Sequence, residues 1–275
     1  MQRIIIFLLF CISLTGILNA SFEEKFLTAR ETYLGGAYTA DNRPESVLIK
    51  NPASLGFKKS SSLSFSHSEL FSLDDLDNQI FSFIFPTEKF GNWAVNYSEF
   101  GPEIYKEKEI GIDAGFMLIE ELFLGFRIKN ESLSIRNYGS ASSSALDAGS
   151  IALLSDNISC GVYARNVVAE RIGKSDERPQ KSCRLGLGYA FNNFFMSVVD
   201  LEKNFLDKNI IYHLGQEIRF SEAFLIGIGW ESNPGRFSCG FGIATKLIAL
   251  EYAFISHPYL DIEHHISINC YLFRE

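Results

Sequence analysis

The sequence is poor in the features that mark most soluble enzymes. It contains no G-x-S-x-G, no H-E-x-x-H and no P-loop, so it presents no nucleophile elbow, zinc helix or phosphate cradle. No catalytic residue, metal site or cofactor is assigned, and the chain is read as a non-enzyme. It also lacks a basic excess. Against 25 Lys and Arg stand 33 Asp and Glu, a net charge of −8. That removes the cationic face a nucleic-acid partner needs. Cysteine is scarce, five in all, with no C-x-x-C and no zinc-like spacing. Past residue 20, no run of about 18 apolar residues is free of charges or turn signals, so no helix is predicted to cross a bilayer. Proline is scarce too, and all seven fall outside the cores of the segments that alternate in hydropathy.

The first twenty residues are unlike the rest. Arg3 is followed by an uncharged apolar stretch from Ile4 to Leu18, and Leu18-Asn19-Ala20 precedes Ser21. Residues 1–20 are read as a signal peptide cleaved before Ser21. The other reading is an uncleaved anchor. It is disfavoured because the apolar run is short for a span and no basic cluster follows it.

What the sequence does have is aromatic and aliphatic residues at every second position. It is 47% hydrophobic and 14% aromatic, with 25 Phe and 11 Tyr. Ile110, Ile112, Ala114 and Phe116 alternate with Gly111, Asp113 and Gly115. Leu185, Leu187, Tyr189 and Phe191 alternate with Arg184, Gly186, Gly188 and Ala190. Phe224, Ile226, Ile228 and Trp230 alternate with Leu225, Gly227, Gly229 and Glu231. Period two places each set on one face of a sheet. One face is bulky and apolar; the other is Gly, Ser and scattered charge, including Arg127, Arg184, Glu217, Glu231 and Glu251. A soluble sandwich buries the apolar face, whereas a membrane barrel turns it to lipid. The alternation alone fits both.

The rhythm of the segments separates them. About fourteen are predicted: 61–67, 78–86, 91–99, 107–118, 121–136, 144–155, 158–166, 181–191, 193–201, 209–219, 222–231, 235–243, 246–254 and 264–273. Short turns near residues 119–120, 156–157, 192, 221 and 245 alternate with longer connections, as the two rims of an outer-membrane barrel require. Residues 137–146 and 167–180 are read as loops. The predicted fold is therefore all-β: a closed antiparallel transmembrane β-barrel of about 14 strands over residues 61–275. Cys160, Cys183, Cys239 and Cys270 fall in strands as small lipid-facing residues. A disulfide between Cys160 and Cys183 is the less favoured reading.

Residues 21–60 do not alternate. They carry Arg30, then Leu34-Gly35-Gly36-Ala37-Tyr38-Thr39-Ala40-Asp41, then Asn51-Pro52-Ala53-Ser54-Leu55-Gly56. Gly35-Gly36 permits positive φ, and Asn51-Pro52 marks a fixed turn. By themselves these residues allow either a surface loop or an internal segment. Their order and spacing resemble the N-terminal signature of the FadL and PorV outer-membrane barrels. Later stretches, Val198-Val199-Asp200-Leu201, Tyr212-His213-Leu214-Gly215 and Ile226-Gly227-Ile228-Gly229-Trp230, are similar to late hairpins of the PorV-like proteins. The resemblance departs at Lys50, where an aromatic residue is usual, and at Phe273, which leaves the lipid-facing alternation. It implies that residues 21–60 form a plug or hatch inside the barrel, with Arg30, Gly35, Gly36, Ala37, Asp41, Asn51, Pro52 and Ala53 as its elements.

Few other polar groups stand out. His213, Glu217 and Arg219 share one strand face and are read as a lumen network, with a ligand head-group site as the alternative. His264-His265 would point to opposite faces and so cannot share a metal ion. The resemblance implies transport of small hydrophobic compounds across the outer membrane. The alternatives are a PorV-like barrel that binds a secretion-system protein and an exported structural β-protein. The partners expected are outer-membrane lipid, a hydrophobic small molecule or that secretion partner.

Overall fold

A computed structural model describes residues 28–43, 50–73, 75–87, 90–173, 178–192, 194–205 and 209–272. Residues 1–20, read from the sequence as a signal peptide, residues 21–27 and 44–49 of the N-terminal segment, and Phe273 to Glu275 lie outside them.

The alternating segments form fourteen antiparallel strands: β1 (Ser62–Glu69), β2 (Asp77–Phe85), β3 (Asn92–Phe100), β4 (Tyr105–Ile119), β5 (Leu122–Ile135), β6 (Gly139–Ser155), β7 (Ile158–Ala169), β8 (Ser182–Phe191), β9 (Phe195–Asn204), β10 (Ile210–Ser221), β11 (Phe224–Glu231), β12 (Arg236–Ala244), β13 (Ile248–Ile255) and β14 (Glu263–Tyr271). Each pairs with its sequence neighbours, and β1 pairs with β14 to close the barrel. In the closing seam Phe65 lies opposite Ile268 on one side and Phe81 on the other. Closure leaves no unpaired edge, which hydrocarbon would not tolerate.

The start of β1 and the end of β14 share one rim with tight turns at 120–121, 156–157, 222–223 and 245–247; this is the near rim. The opposite, far rim carries longer connections such as 170–181 and 256–262, but also the short ones at 136–138 and 232–235. Two expectations need correction. The loop read over 167–180 begins only after Ala169, the end of β7, which pairs with Ala145. The Ser-Ala run, read as a loop over 137–146, is the far end of β6, paired from Gly139 onward with β5. Its small polar side chains carry no apolar alternation, so the pattern hides a strand that the ladder makes plain. The turn itself is 136–138, where Asn137 takes φ 68°.

Side-chain orientation decides between the two architectures. Ile112, Ile128, Leu187, Leu214, Ile228, Phe241 and Ile266 all point outward and are exposed. An apolar belt of this extent, broken in mid-strand by Gln216 on β10, is far beyond what a soluble surface carries. Arg127, Arg184, Glu217, Glu231 and Glu251 point inward. Arg127 makes two 2.6 Å bonds to Asp113, and Lys129 lies 3.0 Å from Glu131 and 3.3 Å from Asp147. The near end of the belt is rich in Phe and Trp, with Trp93 edge-on to Phe116 and Phe220 beside Phe224. Towards the far end tyrosines turn their hydroxyls to polar partners: Tyr97 to Glu99 at 2.6 Å and Tyr252 to His264 at 2.8 Å. Such amphipathic rings suit the two interfaces of a bilayer.

The belt makes a quantitative prediction. Leu187→Arg, in mid-strand and facing outward, lowers unfolding stability in lipid vesicles by roughly 2–4 kcal/mol. Tyr259→Arg, in a far connection, leaves it near wild type. Equal denaturant midpoints for the two variants would show that the belt does not lie in hydrocarbon.

Candidate functional site

The non-alternating N-terminal residues fold within the barrel as two short pieces. Thr28 caps the helix α1 (Ala29–Tyr33), its Oγ1 accepting from the Glu31 N–H at 3.1 Å. The chain then reverses at Gly35 and Gly36, which take φ of +62° and +80°. The Gly36 N–H closes the turn on the Glu31 carbonyl at 2.9 Å. The second piece is a 3-10 turn over Pro52–Phe57. Pro52 occupies its first position, and Asn51 caps it by accepting from the Ala53 N–H at 3.1 Å. Ala29, Tyr33, Ala37, Ala53 and Leu55 are fully buried.

Both pieces rest on inward-facing glycines. Gly115, Gly125 and Gly149 lie side by side across β4, β5 and β6. A Cβ on Gly115 would sit 2.5 Å from the Leu55 Cβ, one on Gly125 would overlap the Ala53 nitrogen, and one on Gly149 would overlap the Asn51 side chain. Gly161 pairs with Gly186 beneath Thr39, and Gly215 pairs with Gly229 beneath Leu34 and Gly35. Gly227 and Gly240 receive the Tyr33 ring. The sequence shows these glycines as a small inner face. Their shared role as a seat exists only once the segment is inside.

Charge holds the segment where glycine seats it. Arg30 pairs with Asp41 at 3.2 Å and with Glu217, and Glu217 also receives Arg43. The Tyr33 hydroxyl lies 3.2 Å from both Glu217 and Glu251. Arg219 stands 3.5 Å from Glu217. Burial pushes the Asp41 carboxyl up, but the Arg30 and Arg43 charges outweigh it and hold the group below its ordinary value. Around His213 is a separate cluster. One ring nitrogen contacts the Gly35 carbonyl at 2.8 Å and the other Glu202 at 3.0 Å. Arg184 joins it, 2.5 Å from Glu202 and donating to the Gly36 carbonyl at 2.8 Å. His213, Glu217 and Arg219 thus face inward but divide between two clusters, because Leu34 fills the space over Gly215 between them.

Asp200 was not singled out by sequence reasoning. It accepts from the Tyr38 and Thr39 N–H groups at 3.0 and 2.9 Å and from the Thr39 hydroxyl at 2.6 Å. Glu202, Arg43 and Tyr33 were missed as well. The only signal for Asp200 and Glu202 was their place on the inward alternation of β9. His264 and His265 do point apart: His264 to Tyr252 outside, His265 to Ser68 inside at 2.7 Å. The four described cysteines are free thiols, and Cys160 lies opposite Leu187, not Cys183.

The wall itself is interrupted at one place. Other register shifts sit beside tight near-rim turns, but between Leu146 and Ala148 the β6–β7 ladder breaks well inside the strands. Pairing of β7 with β8 stops at Arg165 and Ser182. Asn166 takes φ 54°, and side chains replace the missing ladder. Asp147 accepts from the Asn166 N–H at 2.7 Å, Asn166 donates to the Gln180 carbonyl at 2.7 Å, and Lys181 donates to the Val167 carbonyl at 3.3 Å. Beside the break a cavity of about 220 Å³ opens in the outward face, floored by Ala148, Ser150, Val162 and Ala164 between the larger Phe126 and Phe205. Behind the same floor, Asn51 Nδ2 contacts the Ser150 and Val162 carbonyls at 3.4 and 3.3 Å. The cavities bordered by Arg30 are smaller, about 30 and 50 Å³, and partly polar.

No family model and no curated protein matches the chain. Solved structures do. The CymD monoaromatic hydrocarbon channel superposes with a TM-score of 0.66 at 13% identity, over 90% of this chain and 98% of that one. The Ralstonia pickettii toluene transporter TbuX gives 0.66 at 9% identity, over 88% and 97%. A Pseudomonas aeruginosa FadL homologue gives 0.59 at 10%, over 91% and 99%. The fold is that of the FadL-type barrels. Within it, the Asn51-Pro52-Ala53 turn lies against β5 and β6, and the Gly35-Gly36 turn against β10 and β11.

Two variants probe this seat. Gly125→Ala forces the Ala53 backbone off the wall and exposes the segment to trypsin, whereas Gly111→Ala, whose added Cβ would meet only Arg127 at 3.6 Å, does not. Matching digestion rates would remove the seat from consideration. Glu217→Gln strips the shared carboxylate from two arginines. It is expected to cost about 3–5 kcal/mol and to speed trypsin cleavage at Arg30. The Asp41 contribution runs in the same sense with pH: it is complete above the ordinary carboxylate pKa and is lost as pH falls through the lowered value. Wild-type protein digested from pH 7 down to pH 3 with an acid-tolerant protease should open only at the acid end.

Proposed function

We propose that this protein sits in the outer membrane and passes small hydrophobic compounds across it, with residues 21–60 as a plug. The observation that carries the reading is the back-to-back placement of the Asn51-Pro52-Ala53 turn and the apolar wall cavity on one segment of β6 and β7. An apolar cavity of ~150 Å³ is enough for benzene, so about 220 Å³ suits a single-ring hydrocarbon. The cavity faces outward, where an apolar solute partitions. Movement of the plug withdraws Asn51 from the Ser150 and Val162 carbonyls and loosens the wall beside its existing break. The solute then leaves sideways into the bilayer and crosses no water column. The similar structures, channels and transporters for toluene and monoaromatic hydrocarbons, support the same class of solute.

The protein-binding reading has one observation in its favour. Among the described residues, ion pairs crowd the interior around the segment, and the cavities bordered by Arg30 are small and partly polar. Against it, far connections such as 136–138 and 232–235 are too short to build a broad docking platform.

The test is uptake of radiolabelled toluene by intact cells producing the protein, with arabinose as a polar control. Toluene entry should rise above empty-vector cells while arabinose entry does not. Asn51→Ala, which frees the wall, should change the toluene rate several-fold. Arabinose entry without any toluene gain would identify an ordinary aqueous pore. No entry of either, with a secretion protein retained on purification, would establish the protein-binding role instead.

A further inference from the structure

The wall cavity has a charge at one end that a hydrocarbon does not need. Among the described residues its lining includes Lys181 and no acid, while the other cation there, Arg165, turns its guanidinium inward to Glu131 at 3.4 Å. Lys181 stands on the outward alternation of β8, one step beyond Cys183 towards the far rim, and Lys203 lies opposite Cys183 on β9. An ammonium has three donors, and the Val167 carbonyl at 3.3 Å takes one of those on Lys181. The floor is made of small side chains, Ala148, Ser150 and Ala164, so the groove is as deep as the wall permits. Apolar depth with a cation at the interfacial end is the complement of a chain with an anionic head.

We infer that the groove binds one anionic lipid of the surrounding bilayer, an acyl chain lying over Ala148 and Ala164 and its phosphate held by Lys181. The lipid closes the outer side of the break at β7, as the buried Asp147 closes it from within by accepting from the Asn166 N–H. A solute leaving the barrel displaces the chain and not the head. The inference rests on the groove lying in hydrocarbon, as the proposed function also requires, but not on passage itself.

The experiment uses the full-length protein in nanodiscs of equal phosphatidylglycerol and phosphatidylcholine, with retained lipids counted by native mass spectrometry. Wild type should keep one phosphatidylglycerol, favoured over phosphatidylcholine by about fivefold for each lysine at the head. Ala164→Phe fills the groove from the lipid side, where an added ring faces hydrocarbon and not the packed interior, and should abolish retention. K181E should leave the barrel folded, judged by heat-modifiable migration, and lose the headgroup preference. Retention unchanged in Ala164→Phe would reduce the signal to general annular lipid and overturn the site. Preference unchanged in K181E would remove the headgroup contact and with it the proposal. Toluene uptake is read separately. Lipid retention without uptake counts against transport alone, and uptake without retention against the lipid site alone.

Discussion

Hydrocarbon offers a peptide group nothing to bond to, and the architecture follows from that. Every N–H and C=O at the depth of the belt must be paired within the wall. Fourteen strands closed by β1 on β14 meet the demand. Where the β6–β7 ladder breaks, Asp147 accepts in its place, and where the β7–β8 ladder stops, Asn166 and Lys181 donate across the gap. A break repaired by side chains holds less uniformly than a ladder, because it depends on a few groups keeping their positions. That is why the interruption matters more than its length suggests.

The interior obeys the opposite rule. Charges excluded from the outer face collect inside, and with the N-terminal segment present they are cut off from water and must pair. Arg30 and Arg43 complete Glu217, and backbone N–H groups of Tyr38 and Thr39 donate to one oxygen of Asp200. The segment therefore satisfies the wall as much as the wall holds the segment. Glycine makes this close approach feasible. A methyl group at Gly125 or Gly149 would separate the backbone of the turn from the strand it leans on.

The two rules meet at Asn51. Its side chain caps the 3-10 turn, bonds to the Thr39 carbonyl at 2.8 Å and reaches the wall carbonyls of Ser150 and Val162. One amide ties together both pieces of the segment and the strands whose outer faces floor the apolar groove. A displacement inside is thus mechanically continuous with the lipid-facing side, through a contiguous set of hydrogen bonds and not through a distant relay.

Period-two alternation determined the strands, their number and which face of each is apolar, because a side chain in a strand can point only two ways. β6 was shortened most in that reading, since Ser140 to Ser144 alternate nothing in hydropathy, while β7 and β9 run three residues past their predicted ends. Alternation also placed His213, Glu217 and Arg219 on one face. It did not say which solvent touched which face, nor that Leu34 would divide those three residues between two clusters. Asp200 and Glu202 looked like any inward charge, and the glycines like any small residue. Their roles depend on what is opposite them across the barrel, 162 residues away in sequence in the case of Asp200 and Tyr38. Local sequence carries local periodicity. Closure, the seat inside it and the groove behind it are relations between distant segments, and only the folded chain brings those together.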